Sequence, residues 1–88
     1  MSYKIEFHKQ ALKDYEKVKK NPNLSKIVKR LLTVLKEKPL MPPCEKLSGN
    51  LAGAYSRRIN KQHRLVYIVI EDQKLVRVLS LWSHYENL

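Results

Sequence analysis

Tyr3, Ile5 and Phe7 alternate with Lys4 and Glu6, which is the period of a half-buried strand. After Phe7 the period lengthens. Ala11, Leu12, Tyr15 and Val18 fall on one helical stripe, with Lys9, Lys13, Asp14, Lys17 and Lys20 around the rest. Asn21-Pro22-Asn23 ends this helix, because proline disfavours helical geometry in the residue before it. A second helix follows at once, since Leu24, Ile27, Val28, Leu31, Leu32 and Leu35 make a broad apolar face, and so short a junction implies an antiparallel hairpin. Pro39 and the pair Pro42-Pro43 then open a long loop over 39–53. Loops of that length in a compact domain are functional or disordered, and Leu40, Met41, Leu47 and Leu51 supply apolar anchors that predict an ordered loop laid over the core.

From Ala54 the chain reads as three strands, 54–60, 63–70 and 74–82, divided by the short polar turns Asn60-Lys61-Gln62 and Glu71-Asp72-Gln73. Leu65 to Ile70 is apolar at both parities, as expected of a central strand covered on both faces. The order β-α-α-β-β-β predicts an α+β domain: a two-helix hairpin packed on one face of a mainly antiparallel four-stranded sheet.

At 88 residues, one domain spanning 1–88 is expected. The charge changes the picture more than the length does. Eighteen Lys and Arg against eight Asp and Glu give a formal net charge of +10. A small domain this basic meets a polyanion, whether nucleic acid, an acidic protein or an anionic membrane surface, or else uses its charge for solubility. No apolar run reaches the roughly 18–20 residues of a membrane span. The start lacks the apolar stretch of a secretory signal, which argues for a cytoplasmic protein. Cys44 is the only cysteine, and no Cys/His spacing matches a zinc site, so neither a structural metal nor a cofactor is expected.

In the first of the three strands Tyr55, Arg57 and Ile59 share one parity, while Ser56 and Arg58 share the other. The apolar parity should face the helices, which directs Arg58 to the open face and leaves Arg57 ambiguous. Arg64 opens the next strand beside His63. Two arginines on neighbouring strands make either a phosphate clamp, which the guanidinium fork suits, or a pair of surface residues partnered by acids. Glu45 stands alone in a basic loop, where it should stay ionised. His84 is a candidate proton donor near neutral pH, or a surface residue. Tyr55, Tyr67, Trp82 and Tyr85 can stack on bases or fill the core.

The stretch Glu45-Lys46-Leu47, Asn50-Leu51-Ala52-Gly53, Tyr55-Ser56-Arg57-Arg58-Ile59 and His63-Arg64-Leu65-Val66-Tyr67, closed by Ser83-His84-Tyr85, resembles the YoeB (Txe/YoeB) branch of the RelE superfamily of bacterial toxins. The resemblance implies a metal-independent, ribosome-dependent endoribonuclease, the toxin of a type II toxin–antitoxin pair, cutting mRNA in the ribosomal A site. It sets the catalytic glutamate at Glu45, the phosphate-binding arginines at Arg58 and Arg64, and the terminal catalytic pair at His84 and Tyr85. Arg57 and Lys46 are further candidates for RNA contact. The implied partners are a YefM-type antitoxin with an acidic C-terminal segment, the ribosome with its rRNA and mRNA, and a second copy in a homodimer; no membrane is involved. Two departures stand out: Ser48 occupies a position where such sequences often carry lysine, with Lys46 nearby, and the chain runs on through Glu86-Asn87-Leu88.

Lys9, Lys13, Lys17, Lys19, Lys20, Lys26, Lys29 and Arg30 on the helices form an rRNA contact, an antitoxin interface or a solvated face. Two rival functions are a superfamily toxin that poisons DNA gyrase, which would lack the Glu/Arg/His set, and a non-catalytic RNA-binding module indifferent to Glu45 and His84.

Overall fold

The computed structural model describes residues 2–82. Strand β1 (Lys4–Phe7) leads into helix α1 (Lys9–Lys19) and helix α2 (Pro22–Glu37). The Asn21-Pro22 step that stops one helix starts the other. The Asn21 side chain accepts from the amides of Asn23 and Leu24, and Pro22 fills the first helical position, where no amide is needed. A short strand β2 (Glu45–Lys46) follows, then β3 (Tyr55–Arg58), β4 (Arg64–Ile70) and β5 (Leu75–Ser80).

The sheet has five strands in the order β1-β5-β4-β3-β2, with β1 parallel to β5 and the other neighbours antiparallel. The expected α+β layering holds, with one strand more than the four expected. The extra strand is β2, whose two residues pair with Ser56 and Tyr55 in the middle of the proline-rich loop. Two residues are too few to carry a readable alternation, so this strand exists through its partner alone.

The helix-side core joins Ala11, Val18, Leu24, Val28 and Leu35 to Leu65, Tyr67, Val76 and Val78 of the sheet. On the opposite face Val66 lies fully buried under Leu47 and Ala54, with Leu51, Ile68 and Leu79 beside it. β4 is therefore the central strand covered on both sides, by helices on one and by the loop on the other. No helix among the described residues is long and apolar enough to cross a membrane.

Three details depart from the sequence pattern. Leu12 is exposed, and the inner stripe of α1 runs through Ala11, Asp14 and Val18 instead. Asp14 is 3% exposed, accepting from the Gln10 side chain at 2.9 Å and from the Leu81 amide at 3.0 Å, so it docks the end of the last strand onto α1. In the loop, Leu47 and Leu51 are anchors as expected, but Leu40 and Met41 point outward at 47% and 43% exposure. Polar bonds hold that first half of the loop.

Candidate functional site

The β3–β4 hairpin brings two guanidinium groups together. Asn60 makes the turn by accepting from the amides of Gln62 and His63 with its side chain, which leaves its carbonyl free for the arginines. Arg58 Nε donates to that oxygen at 3.3 Å and Arg64 Nη1 at 2.6 Å. Arg64 Nη1 also donates to the His63 carbonyl at 3.1 Å. Arg58 and Arg64 are direct cross-strand partners and so share a face.

Glu45 joins that face through β2. It pairs with Ser56, which precedes Arg58 by two positions, making Glu45 and Arg58 diagonal neighbours roughly 7–8 Å apart along the backbone. Its side chain is exposed, and among the described residues it forms no ion pair. A cleft of about 510 Å³ collects Glu45, Ser56, Arg58 and Arg64, with Leu31 and Val34 of α2 and the loop residues Met41, Pro42, Pro43 and Cys44 completing its walls. One carboxylate and two permanently charged guanidinium groups thus converge in a partly apolar recess. Such a recess can grip a phosphodiester and strengthen the field acting on it.

Arg57 and Lys46 behave differently. Arg57 also borders the cleft, but it is 4% exposed and its fork is occupied by main-chain carbonyls of Pro43, Met41, Pro39 and Lys38. Its Nε is buried without a hydrogen-bond partner among the described residues. The ambiguity of its facing is thereby resolved toward the helix side, with Tyr55 and Ile59. Lys46 pairs with Tyr55, alternates to the face opposite Glu45, and is exposed away from the cleft lining. Ser48 precedes a short turn over Gly49–Leu51 without a side-chain capping bond, and Gly49 (φ +65°) and Gly53 (φ +93°) supply the left-handed backbone that brings the loop back to β3. His84 and Tyr85 lie outside the described residues.

The approach to that C-terminal segment is well defined. Trp82 stacks on His63 with ring centroids 4.4 Å apart, and Lys17 lies over the indole at 5.8 Å. Burial pushes the His63 imidazole below its ordinary pKa, opposed by the Asp14 carboxylate, and its Nδ1 is buried without a hydrogen-bond partner among the described residues. His63 neighbours Arg64, so the exit from β5 is pinned to the arginine hairpin. Of the other aromatics, Tyr67 is fully buried and Tyr55 stacks on it at 5.8 Å, which makes both structural. Burial pushes the Tyr67 hydroxyl up to about 12, keeping it a neutral donor to the Pro39 carbonyl at 2.5 Å. Asp14 shares the spacing of the Ala11–Val18 stripe, but nothing in the sequence names the donor that lets an acid be buried there; the Leu81 amide supplies it only in the fold.

The architecture is that of the small RelE-like α+β toxins. More narrowly, the chain belongs to the YoeB-like toxins of bacterial type II toxin–antitoxin systems, whose family model matches residues 7–85. The toxin YoeB of Synechocystis is 34% identical over 89 residues, covering 96% of this chain and 99% of the relative. Among solved structures, YoeB of Staphylococcus aureus in complex with YefM superposes with a TM-score of 0.81 at 35% identity, covering 97% of this chain and 100% of that one. The same staphylococcal toxin as a dimer gives 0.82. A YoeB/ParE toxin from Agrobacterium tumefaciens gives 0.87 at 28% identity, covering 93% of this chain and 99% of that one.

Proposed function

We propose that this toxin is a ribosome-dependent endoribonuclease that cleaves mRNA in the A site by attack of a ribose 2′-OH on the adjacent 3′-phosphate. The observation that carries the reading is the strand register that sets Glu45, Arg58 and Arg64 on one cleft. Glu45 takes the 2′-OH proton. Arg58 and Arg64 neutralise charge building on the phosphorane, the task for which fixed cations are most effective. His84 protonates the departing 5′-oxygen, and Tyr85 orients the nucleotide. The reaction gives a 2′,3′-cyclic phosphate and a 5′-hydroxyl, with the proton passing from the attacking to the leaving oxygen, and it calls for no metal ion of the protein's own.

The surplus of positive charge suits rRNA, and the eight helical cations are all exposed. A YefM-type antitoxin is the proposed neutralising partner, on the precedent of the staphylococcal complex, and a homodimer is proposed on that of the staphylococcal dimer. The cytoplasm is the compartment where both partners would be met.

Mapping mRNA 3′ ends on translating ribosomes tests the reading. The parent protein is expected to leave A-site ends bearing cyclic phosphate and to spare a message carrying a deoxyribose at the cleavage position. Parent-rate cutting by both Arg64→Ala and His84→Gln would overturn the assigned roles.

A further inference from the structure

We propose that Arg57 is the positioning residue of this site: a buried guanidinium that fastens the Lys38–Pro43 segment and thereby holds Glu45 against the two cleft arginines. The inference rests on the reading of Glu45 as the base for its effect on catalysis, though not for its effect on the loop. Lys38 to Pro43 contains three prolines and therefore has more carbonyls to satisfy than amides to offer. A guanidinium is the matching side chain, with five N–H donors and no acceptor. Arg57 Nη1 donates to Pro43 at 3.1 Å, while Nη2 donates to Met41 and reaches Lys38 and Pro39 at 3.4 Å. Lys38 is also the C-cap of α2, where the helix dipole favours a cation. Tyr67 adds a second fastener through its bond to Pro39.

The consequence for the site follows from β3. Ser56 holds the Glu45 backbone, Arg57 turns inward to the loop just before Glu45, and Arg58 turns outward to the cleft. Three successive residues thus fix the carboxylate, its approach and its counter-charge. If the loop is released, Glu45 loses one of the two supports on its backbone.

Cys44 lies in that approach, beside Glu45, and is the only thiol of the chain, so its reaction with a thiol reagent reports loop opening without reference to activity. Arg57→Lys keeps the charge but cannot span the carbonyls. It should raise the Cys44 labelling rate about tenfold or more as the segment opens. On ribosomes it should lower kcat by about 10–100-fold with KM held, the signature of a misplaced base. Tyr67→Phe, a milder change, should raise labelling a few-fold and serves if the lysine variant fails to fold. Unchanged labelling in both variants would overturn the proposal, as would a raised KM with kcat kept, which marks direct RNA contact by Arg57. Failure of the function proposed above is separate: the parent would then leave no A-site ends, or Glu45→Gln would cut at the parent rate, while the labelling result still stands.

Discussion

On the helix side of the sheet, Leu65, Val76 and Val78 meet α1 and α2 through side chains whose 3.6- and 2-residue periods interlock. On the loop side, Val66 is just as buried, yet its cover is a segment with almost no regular structure. That cover is held by Leu47, Leu51 and Ala54 and turned by two left-handed glycines, while its leading segment, Lys38–Pro43, is tethered from the helix side of the sheet by the hydrogen bonds of Arg57 and Tyr67. The contrast teaches where the chemistry can sit. Where aliphatic groups interdigitate the sheet has no room for a substrate, whereas at the β2–β3 edge, where directional polar bonds tether the segment between α2 and β2, a cleft opens and what lines it stays fixed.

If this division is right, substitutions on the two sides should fail in different ways. Glu45→Gln is expected to have the largest effect on activity, a loss of about 10²–10⁴-fold in single-turnover cleavage of ribosome-bound mRNA. Its melting temperature should match the parent's, because the side chain is exposed; a large stability loss would erase the contrast. Leu35→Ala in the helix-side core should instead cost about 2–5 kcal/mol of unfolding free energy, read from denaturant titration.

Asp14→Ala sharpens the comparison, since it places a polar tether inside the helix-side core. Removing the acceptor of the buried Leu81 amide should cost about 1–3 kcal/mol, with faster hydrogen exchange at that amide. Parent-like exchange at Leu81 would show that the docking of β5 does not depend on it.

The smallest effect expected is a pH dependence from His63. Its pKa is lowered in the folded state by burial, so the unfolded chain binds the proton more readily. Stability is therefore full above the unfolded value of about 6.5 and falls as the pH drops below it toward the folded value. His63→Phe keeps a ring against Trp82 and should flatten this decline in melting curves run between mildly acidic and neutral pH. An unaltered acid limb in that variant would remove His63 as its source.

How much of this was legible beforehand follows the same division. The helix hairpin, β1, and the three strands of the second half could be read because each repeats its apolar period several times, and the central position of β4 followed from apolar residues at both parities. The hairpin carrying Arg58 and Arg64 was equally readable, since alternation along 54–60 sends Arg58 to the open face. Strand β2 was not, and neither was the burial of Asp14 or the outward turn of Leu40 and Met41. The family resemblance singled out Glu45; periodicity said only that an acid stood alone.

What the amino-acid order determined by itself was every element whose side-chain pattern repeats over more than a turn or a few strand residues, together with the charge and the two-arginine hairpin. What tertiary structure decided was the partner of each isolated group: Arg57 for the loop carbonyls, Ser56 for Glu45, Asp14 for the Leu81 amide. The physical reason is that periodic burial is a local property summed along the chain, whereas a single directional hydrogen bond between distant residues leaves no repeat to read.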